Sequence, residues 1–132
     1  MKGLVVMLIL IQIFALLQFS LAEENALPQL KKAQTKLRGQ IKVMIAKPTC
    51  MKSTDCAVAE MGNGGGCGNP NTFWAYSRGN KNVETIKKLV RMERQLAHKI
   101  VQKSKKKGEE MMMGTCGYKS PQVKCVENNC KI

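Results

Sequence analysis

Residues 83–106 have the sequence VETIKKLVRMERQLAHKIVQKSKK, and this stretch decides the fold predicted for the chain. Its apolar residues recur every three or four positions, which is the period of one side of an α-helix. They are Val83, Ile86, Leu89, Val90, Met92, Leu96, Ala97, Ile100 and Val101. Asn82 is a favourable N-cap directly before them, and Glu84 places a negative charge in the first turn. The sequence therefore predicts one long amphipathic helix whose apolar side must be covered by another element.

The other side of this predicted helix is strongly basic, and Glu84 and Glu93 are its only acids. Its cations are Lys87, Lys88, Arg91, Arg94, Lys99, Lys103, Lys105, Lys106 and Lys107. Cations near a helix C-terminus interact favourably with the helix dipole, which gives the last three a structural role. Together they form a surface of one sign, so we select all of them as candidates for anion binding. The alternative is a solvated face that serves only solubility.

Charge and length bound the class of protein. The 132 residues carry 22 lysines and arginines against 9 acids, a net charge of +13. A chain of this size forms one domain that buries about 60 to 70% of the surface exposed by its unfolded chain. This excludes a multidomain enzyme and a protein built around a large cofactor, and we expect no cofactor.

Residues 1–22 have the pattern of a secretory signal peptide. Lys2 precedes an apolar run, and Ser20 and Ala22 are small residues at positions −3 and −1 of a cleavage site after Ala22. An uncleaved anchor is the alternative, because the uncharged run after Lys2 is about 20 residues long, enough to span a bilayer. Glutamines inside the run and lysines soon after it favour cleavage. We expect a secreted or periplasmic protein with a net charge of +12 once Lys2 is removed.

Six cysteines follow this leader, at Cys50, Cys56, Cys67, Cys116, Cys125 and Cys130. In an exported chain of this size, an even number of cysteines indicates a disulfide framework. Zinc would require closely paired cysteines with histidine partners, whereas the spacings here are x5, x10, x48, x8 and x4. The single histidine, His98, lies inside the helical pattern. The sequence predicts three disulfides and no metal site.

The C-terminal sequence VKCVENNCKI bears on the pairing of these cysteines, which sequence alone does not decide. It predicts a hairpin with Asn128 and Asn129 at its tip, because asparagine tolerates the positive φ angles of a tight turn. In that register Glu127 faces Cys130, and Cys125 projects to the same side. The expected bonds join Cys125 and Cys130 to Cys50 and Cys56, in either combination, and Cys67 to Cys116.

Shorter elements are predicted before the long helix. Residues 30–38 have apolar residues at helical spacing and predict one or two helical turns, which Gly39 interrupts. Residues 40–47 place Ile41, Val43 and Ile45 on one side of a strand. The sequences CAVAEM (56–61) and TFWAYS (72–77) predict two more strands, and Trp74 on the second is expected in the core rather than on an exposed binding platform.

These elements predict an α+β fold with one long amphipathic helix packed on a small antiparallel sheet and stapled by three disulfides. We divide the chain into a signal peptide (1–22), a basic N-terminal segment (23–47) and a disulfide-stabilised domain (48–132). The glycine-rich sequence of residues 62–68 lacks the frame of a phosphate-binding loop, and Asn69-Pro70 follows where a helix would have to begin. We therefore interpret it as a flexible turn that lets Cys67 reach its partner.

The arrangement of motifs resembles a group of small exported cysteine-rich proteins of Gram-negative bacteria. The motifs are C-x5-C with Asp55 before its second cysteine, the C-G-x-P step at Cys67, the sequence WAYS from Trp74, and a closing C-x8-C-x4-C. The resemblance covers residues 48–130, and the chain departs from it at Asn69 and Asn129, where the group has glycine. Those proteins are functionally uncharacterised, so the likeness implies export and a disulfide scaffold without any catalytic residues.

Four functions remain to be compared. The first is a non-enzymatic binding protein whose basic face engages an anionic lipid headgroup, lipopolysaccharide or an acidic protein, with specific nucleic-acid binding disfavoured by the few aromatic residues. The second is an inhibitor of a secreted protease or other enzyme, with loops 61–71 and 116–124 as candidates.

The third function, enzyme activity, is not expected, because bridged cysteines leave no thiolate and His98 has no acidic neighbour along its helix. Membrane disruption by residues 30–45 is the fourth, although Gly39 breaks its small apolar face.

Overall fold

A computed structural model describes residues 26–64, 67–105 and 116–132. In chain order the elements are α1 (Ala26–Met44), a 3-10 turn (Ser53–Asp55), β1 (Cys56–Met61), β2 (Thr72–Ser77), α2 (Val83–Ser104), β3 (Lys124–Val126) and β4 (Asn129–Lys131). This is the expected α+β fold, with the long helix α2, a second helix, small antiparallel sheets and three disulfides. Within the described ranges, the helices are too short or too polar to cross a membrane. The predicted signal peptide lies outside them.

The strand predicted for residues 40–47 is wrong, because α1 continues past Gly39 to Met44. Ile41 and Ile45 are four residues apart, so a helix places both on one side, and both are buried. Val43 is on the opposite side and is 77% exposed. Gly39 does not break the helix: it faces open space, where glycine costs about 1 kcal/mol relative to alanine.

Helices α1 and α2 pack against each other in antiparallel directions. Near the end of α1, the Met44 carbonyl accepts a hydrogen bond from the Asn80 side chain at 2.8 Å, just before α2 begins. Earlier in α1, Arg38 reaches Glu93 at the middle of α2. The basic N-terminal segment thus adds a core-forming helix, contributing Leu37 and Ile41 to the same cluster as residues of α2 and the sheet.

The long helix α2 ends two residues before the predicted limit of residue 106. Asn82 occupies the N-cap position, but its side chain makes no capping hydrogen bond. Instead, the Asn80 side-chain oxygen accepts a hydrogen bond from the Asn82 backbone amide at 2.8 Å. The turn before the helix is therefore closed by Asn80, which also holds the end of α1.

The strands predicted at residues 56–61 and 72–77 are present as β1 and β2. They pair in antiparallel register, with Ala57 opposite Tyr76 and Ala59 opposite Trp74. These four residues belong to, or pack on, the cluster that contains the buried side chains of both helices. The expectation that Trp74 contributes to the core is confirmed. Cys56 of β1 and Ala75 of β2 belong to a second buried cluster, which they form with Cys50 and with Cys130 of the C-terminal hairpin.

The C-terminal hairpin forms one residue earlier than predicted. Cys125 is directly opposite Cys130, and the turn residues are Glu127 and Asn128, with φ angles of 52° and 60°. A two-residue hairpin turn with both φ angles positive matches the twist of its strands. The turn at Glu127-Asn128 is therefore the one that forms, rather than the predicted turn at Asn128-Asn129. In either register both sulfurs project to the same side.

The three disulfides join Cys50 to Cys125, Cys56 to Cys130 and Cys67 to Cys116. The expected pairing is confirmed, and the structure resolves the combination that the sequence left open. The backbone reinforces the first two bonds, because Cys50 donates to the Asn128 carbonyl at 3.0 Å and Cys130 donates to the Pro48 carbonyl at 2.7 Å. The hairpin is thereby fixed to the segment before β1 by covalent and hydrogen bonds.

Candidate functional site

Glu93 is predicted on the basic outer face of the helix, and the structure corrects this: its side chain is completely buried. Arg38 Nε donates to its Oε1 at 2.7 Å, and Gln34 Nε2 donates to the same oxygen at 2.9 Å. The other oxygen accepts the backbone amide of Gly62 at 2.7 Å. A buried carboxylate is tolerated only when paired and hydrogen-bonded, and these three donors meet that requirement.

This carboxylate fixes the start of the loop that joins β1 to β2. Gly62 has a φ of 78°, and a Cβ at this position would collide with the side-chain oxygen of Asn71. Glycine is therefore required both for the backbone angle and for the close approach of the loop. Further hydrogen bonds close the loop, from Gly64 to the Asn69 carbonyl at 2.8 Å and from Asn71 to the Met61 carbonyl at 3.0 Å. The glycine-rich turn is thus held next to the middle of α2.

The candidate anion-binding cations of α2 are mostly exposed, and we call them the basic face. Those that the structure describes are Lys87, Lys88, Arg91, Arg94, Lys99, Lys103 and Lys105, of which Lys105 alone is partly buried. Lys106 and Lys107 lie outside the described residues. Lys87 forms an ion pair with Glu84 at 2.8 Å. For the other described members, no acidic group of residues 26–64, 67–105 or 116–132 is within ion-pair distance.

Two cavities border the basic face, and they differ in the charge of their lining residues. Lys87, Arg91 and Arg94 line a groove of about 330 Å³ together with Glu60 and Tyr76. Glu60 is the acid of this groove, so the groove has both signs of charge.

Tyr118 lies next to this groove and connects it to the segment that follows Cys116. Its ring stacks on Phe73 with 6.3 Å between ring centroids and 11° between planes. Partial burial raises the pKa of Tyr118 above its usual value of 10.0, and a hydrogen bond to Glu60 raises it further, while Arg94 opposes the shift. These contacts attach the segment to β2.

A second and more uniformly basic cavity lies further along α2, and we call it the 94–102 cleft. It has a volume of about 450 Å³ and is lined by Arg94, Gln95, His98, Lys99 and Gln102 of the helix, with Gly62, Asn63 and Gly68 of the β1–β2 loop on the other side. None of the described residues that line it is acidic. Arg94 and Lys99 therefore have no acidic neighbour among the described lining residues.

His98 is held within this cleft by two amides. The Asn63 amide group is 3.2 Å from His98 Nδ1, and the Gln102 amide group is 2.9 Å from His98 Nε2. The atoms nearest the ring are the NH2 nitrogens Asn63 Nδ2 and Gln102 Nε2, and an amide NH2 only donates. A neutral imidazole has one lone pair and one N–H, so one amide donates to the ring and the other must turn its oxygen towards the ring N–H. Both ring nitrogens are engaged, and neither neighbour is the carboxylate or the nucleophile of a catalytic triad.

The sulfurs of Cys50, Cys56 and Cys130 lie within 4.8 Å of one another. Each belongs to one of two adjacent disulfides, Cys50–Cys125 and Cys56–Cys130. Metal binding requires thiolates, which bridged sulfurs do not supply. The cluster is consequently a structural feature that fixes the hairpin.

Sequence patterns did not indicate the 94–102 cleft. Asn63 and His98 are 35 residues apart, and only the packing of the loop on α2 brings them together. Glu93 did carry a signal, since it lies three or four residues from Leu89, Val90, Leu96 and Ala97 and so falls within the apolar side of the helix. Comparisons with protein-family models, with curated proteins and with solved structures found no match. The function must therefore be argued from this fold and its basic surface.

Proposed function

We propose that the protein is exported, that its leader is cleaved near Ala22, and that it acts without catalysis as a secreted or periplasmic binding protein. Its partner is an anionic component of the cell envelope, either a lipid headgroup, lipopolysaccharide or an acidic protein, that engages the basic face of α2. One observation carries the proposal: the exposed cations Lys88, Arg91, Arg94, Lys99 and Lys103 lie on one helix without a described acidic partner.

Export is supported by the cysteines as well as by the leader. Residues 26–64, 67–105 and 116–132 contain three disulfides and no free cysteine. Disulfides persist in oxidising compartments such as the periplasm and the extracellular medium. The frame they form fixes the start of β1 to the C-terminal hairpin, and α2 packs on α1 and the β1–β2 sheet. The helix is therefore in place before any partner arrives, so binding costs little conformational entropy.

Electrostatics favour an extended anionic surface as the partner. Each lysine or arginine close to an anionic membrane contributes about 1 kcal/mol to binding. The aromatic residues argue against single-stranded nucleic acid, because Trp74 and Tyr76 pack in the core and Phe73 stacks on Tyr118. Stacking of bases requires exposed rings interleaved with cations.

Binding to vesicles tests this proposal. Oxidised protein is mixed with phosphatidylglycerol or phosphatidylcholine vesicles, and the bound fraction is measured by co-sedimentation. The variant K88Q/R91Q/K103Q removes three charges from α2, and the control K31Q/K32Q/K36Q removes three from the exposed side of α1. At about 1 kcal/mol per cation, the α2 variant should bind anionic vesicles about 100-fold more weakly.

The control decides whether α2 itself is responsible. If the basic face makes the contact, the α1 variant keeps its affinity within about threefold. Equal losses in the two variants would show that net charge alone drives binding. No binding to phosphatidylglycerol by the wild-type protein would overturn the lipid form of the proposal, and an acidic envelope protein retained by the wild type at low salt but not by K88Q/R91Q/K103Q would then identify the partner.

A second candidate function is supported by residues 116–125. Cys116 and Cys125 at the ends of this segment are each bonded to a distant cysteine, and residues 116–120 are exposed. A surface segment braced at both ends suits an inhibitor of a secreted protease, and Lys119 would be the residue offered to a trypsin-like enzyme. Inhibition of trypsin that is lost in Lys119→Ala would support this function. Rapid cleavage after Lys119 without inhibition would exclude it.

A further inference from the structure

The 94–102 cleft combines features that the rest of the basic face lacks. It is concave, it has two cations, and its opposite wall is a loop fixed to α2 by the buried Glu93 carboxylate through the Gly62 amide. The groove beside Lys87, which shares Arg94 with the cleft, contains Glu60, whereas the described residues that line the 94–102 cleft include no acid. An anion entering it meets the side chains of Arg94 and Lys99 on α2 and no carboxylate among the described lining residues.

The charges available in the cleft determine which anion fits best. Arg94 supplies a planar guanidinium with several N–H donors, and Lys99 supplies a compact ammonium group. Both are charged near neutral pH, so the cleft offers two positive charges to a ligand. His98 contributes a wall whose orientation is fixed by Asn63 and Gln102.

A phosphate monoester has a matching charge. It carries a charge of about −1.5 to −2 at neutral pH and has three strong acceptor oxygens, whereas a phosphodiester carries one negative charge. Hydrogen bonds from arginine or lysine to phosphate are about twice as strong as those between neutral groups. A cavity of about 450 Å³ is large enough for the phosphate with part of the group that carries it.

The geometry points to the 94–102 cleft as a binding site for a phosphate monoester, with Arg94 and Lys99 as the ligands of its oxygens. This inference rests on the proposed function and names the chemical group that the basic face selects. The phosphate can belong to a free metabolite-sized monoester or to a lipid headgroup, and both present the same group to the cleft.

Two-dimensional NMR of the oxidised protein tests the site with glycerol 3-phosphate as the soluble probe. The expected result is a saturable shift of the amide signals of Asn63, His98 and Gln102. The variant R94Q/K99Q should lower the affinity at least about tenfold, since it removes two charge-assisted interactions. The matched control K31Q/K36Q removes the same charge from exposed positions of α1, outside both the cleft and the basic face, and should bind the probe normally.

Shifts that do not saturate, or equal losses in the two double variants, would overturn the cleft as a specific site. The source of the phosphate is then determined with vesicles that contain equal fractions of phosphatidic acid, a monoester, or phosphatidylglycerol, a diester. Preference for phosphatidic acid that disappears in R94Q/K99Q assigns the site to a lipid headgroup. Binding of the free probe without that preference assigns it to a soluble monoester.

These outcomes are separable from those of the proposed function. Vesicle binding that depends on Lys88, Arg91 and Lys103, without any saturable binding of glycerol 3-phosphate, refutes the cleft and leaves the binding function standing. Saturable binding of the probe by a protein that ignores every anionic vesicle and every envelope extract refutes the proposed partner but retains the cleft.

Discussion

Replacing Glu93 with glutamine tests the internal link between the two helices and the β1–β2 loop. The glutamine side chain would have nearly the same shape but only one acceptor oxygen, so an NH2 group must face either the Gly62 amide or the donors of Gln34 and Arg38. A buried donor without an acceptor costs about 1 to 3 kcal/mol. Breaking a buried ion pair typically costs about 3 to 5 kcal/mol.

The side chain of Arg38 is 31% exposed, so part of its lost interaction is replaced by water. We therefore expect Glu93→Gln to lower the free energy of unfolding by about 2 to 4 kcal/mol, out of a total of about 5 to 15 kcal/mol for a domain. With a urea m-value of about 1.5 kcal/mol/M, the midpoint of urea unfolding should fall by about 1 to 3 M. The assay is urea unfolding of the oxidised protein followed by far-ultraviolet circular dichroism.

The matched control is Glu84→Gln, which removes the same charge from an exposed position of α2 where the glutamate side chain is 78% exposed. It should lower the urea midpoint by no more than about 0.5 M, because the ion pair with Lys87 and the favourable position of Glu84 in the first helical turn are exposed to solvent. Hydrogen exchange gives an independent readout, since the Gly62 amide should exchange faster in Glu93→Gln. A loss smaller than about 0.5 kcal/mol at an unchanged m-value, with Gly62 still protected, would refute the assignment of Glu93 as a structural anchor.

Four further variants follow from the structure. Gly62→Ala should destabilise the protein by about 1 to 3 kcal/mol because of its positive φ and the collision of the new Cβ, whereas Gly39→Ala should stabilise it by about 0.5 to 1 kcal/mol, both by urea unfolding. Two backbone hydrogen bonds lower the pKa of Asp55 below 3.8, so its contribution to stability is present above that pH and is lost as the pH falls through its folded-state pKa. Asp55→Asn should remove this part of the acid dependence, and acid titration of both proteins measures it. Replacing Cys56 and Cys130 with serine opens one bridge while the neighbouring Cys50–Cys125 bond stays closed, and should cost about 3 kcal/mol in thermal or urea unfolding.

The elements with one dominant periodicity could be predicted from the sequence. Helix α2 has nine apolar residues at helical spacing, and β1 and β2 consist of short apolar runs bounded by turn residues. That Cys125 and Cys130 both bond to the early pair Cys50 and Cys56 was also predictable, because they lie on one side of the hairpin in both of the registers considered, whereas which bonds to which was not. The sequence NN next to Glu127 offered more than one turn, and the register was consequently missed.

The wrong or missing predictions share one physical cause. The local sequence was compatible with more than one structure, and tertiary packing determined which one forms. Ile41 and Ile45 fit a strand by alternation and a helix by their spacing of four, and the buried surface of α2 selects the helix. Glu93 looks like a surface acid until Arg38, 55 residues away, provides its partner. The 94–102 cleft likewise exists only because the loop at Gly62 is fixed to α2.

Binding of the basic face of α2 to an anionic envelope surface is the central proposal for this protein. It is tested most directly by the affinity of the oxidised protein for phosphatidylglycerol vesicles at about 0.1 M and about 1 M salt, between which the screening length falls from about 10 Å to about 3 Å. We expect tight binding at the lower salt, its near-complete loss at the higher salt, and a much smaller salt dependence for K88Q/R91Q/K103Q. Equal affinity of the wild-type protein at both salt concentrations would contradict the proposal.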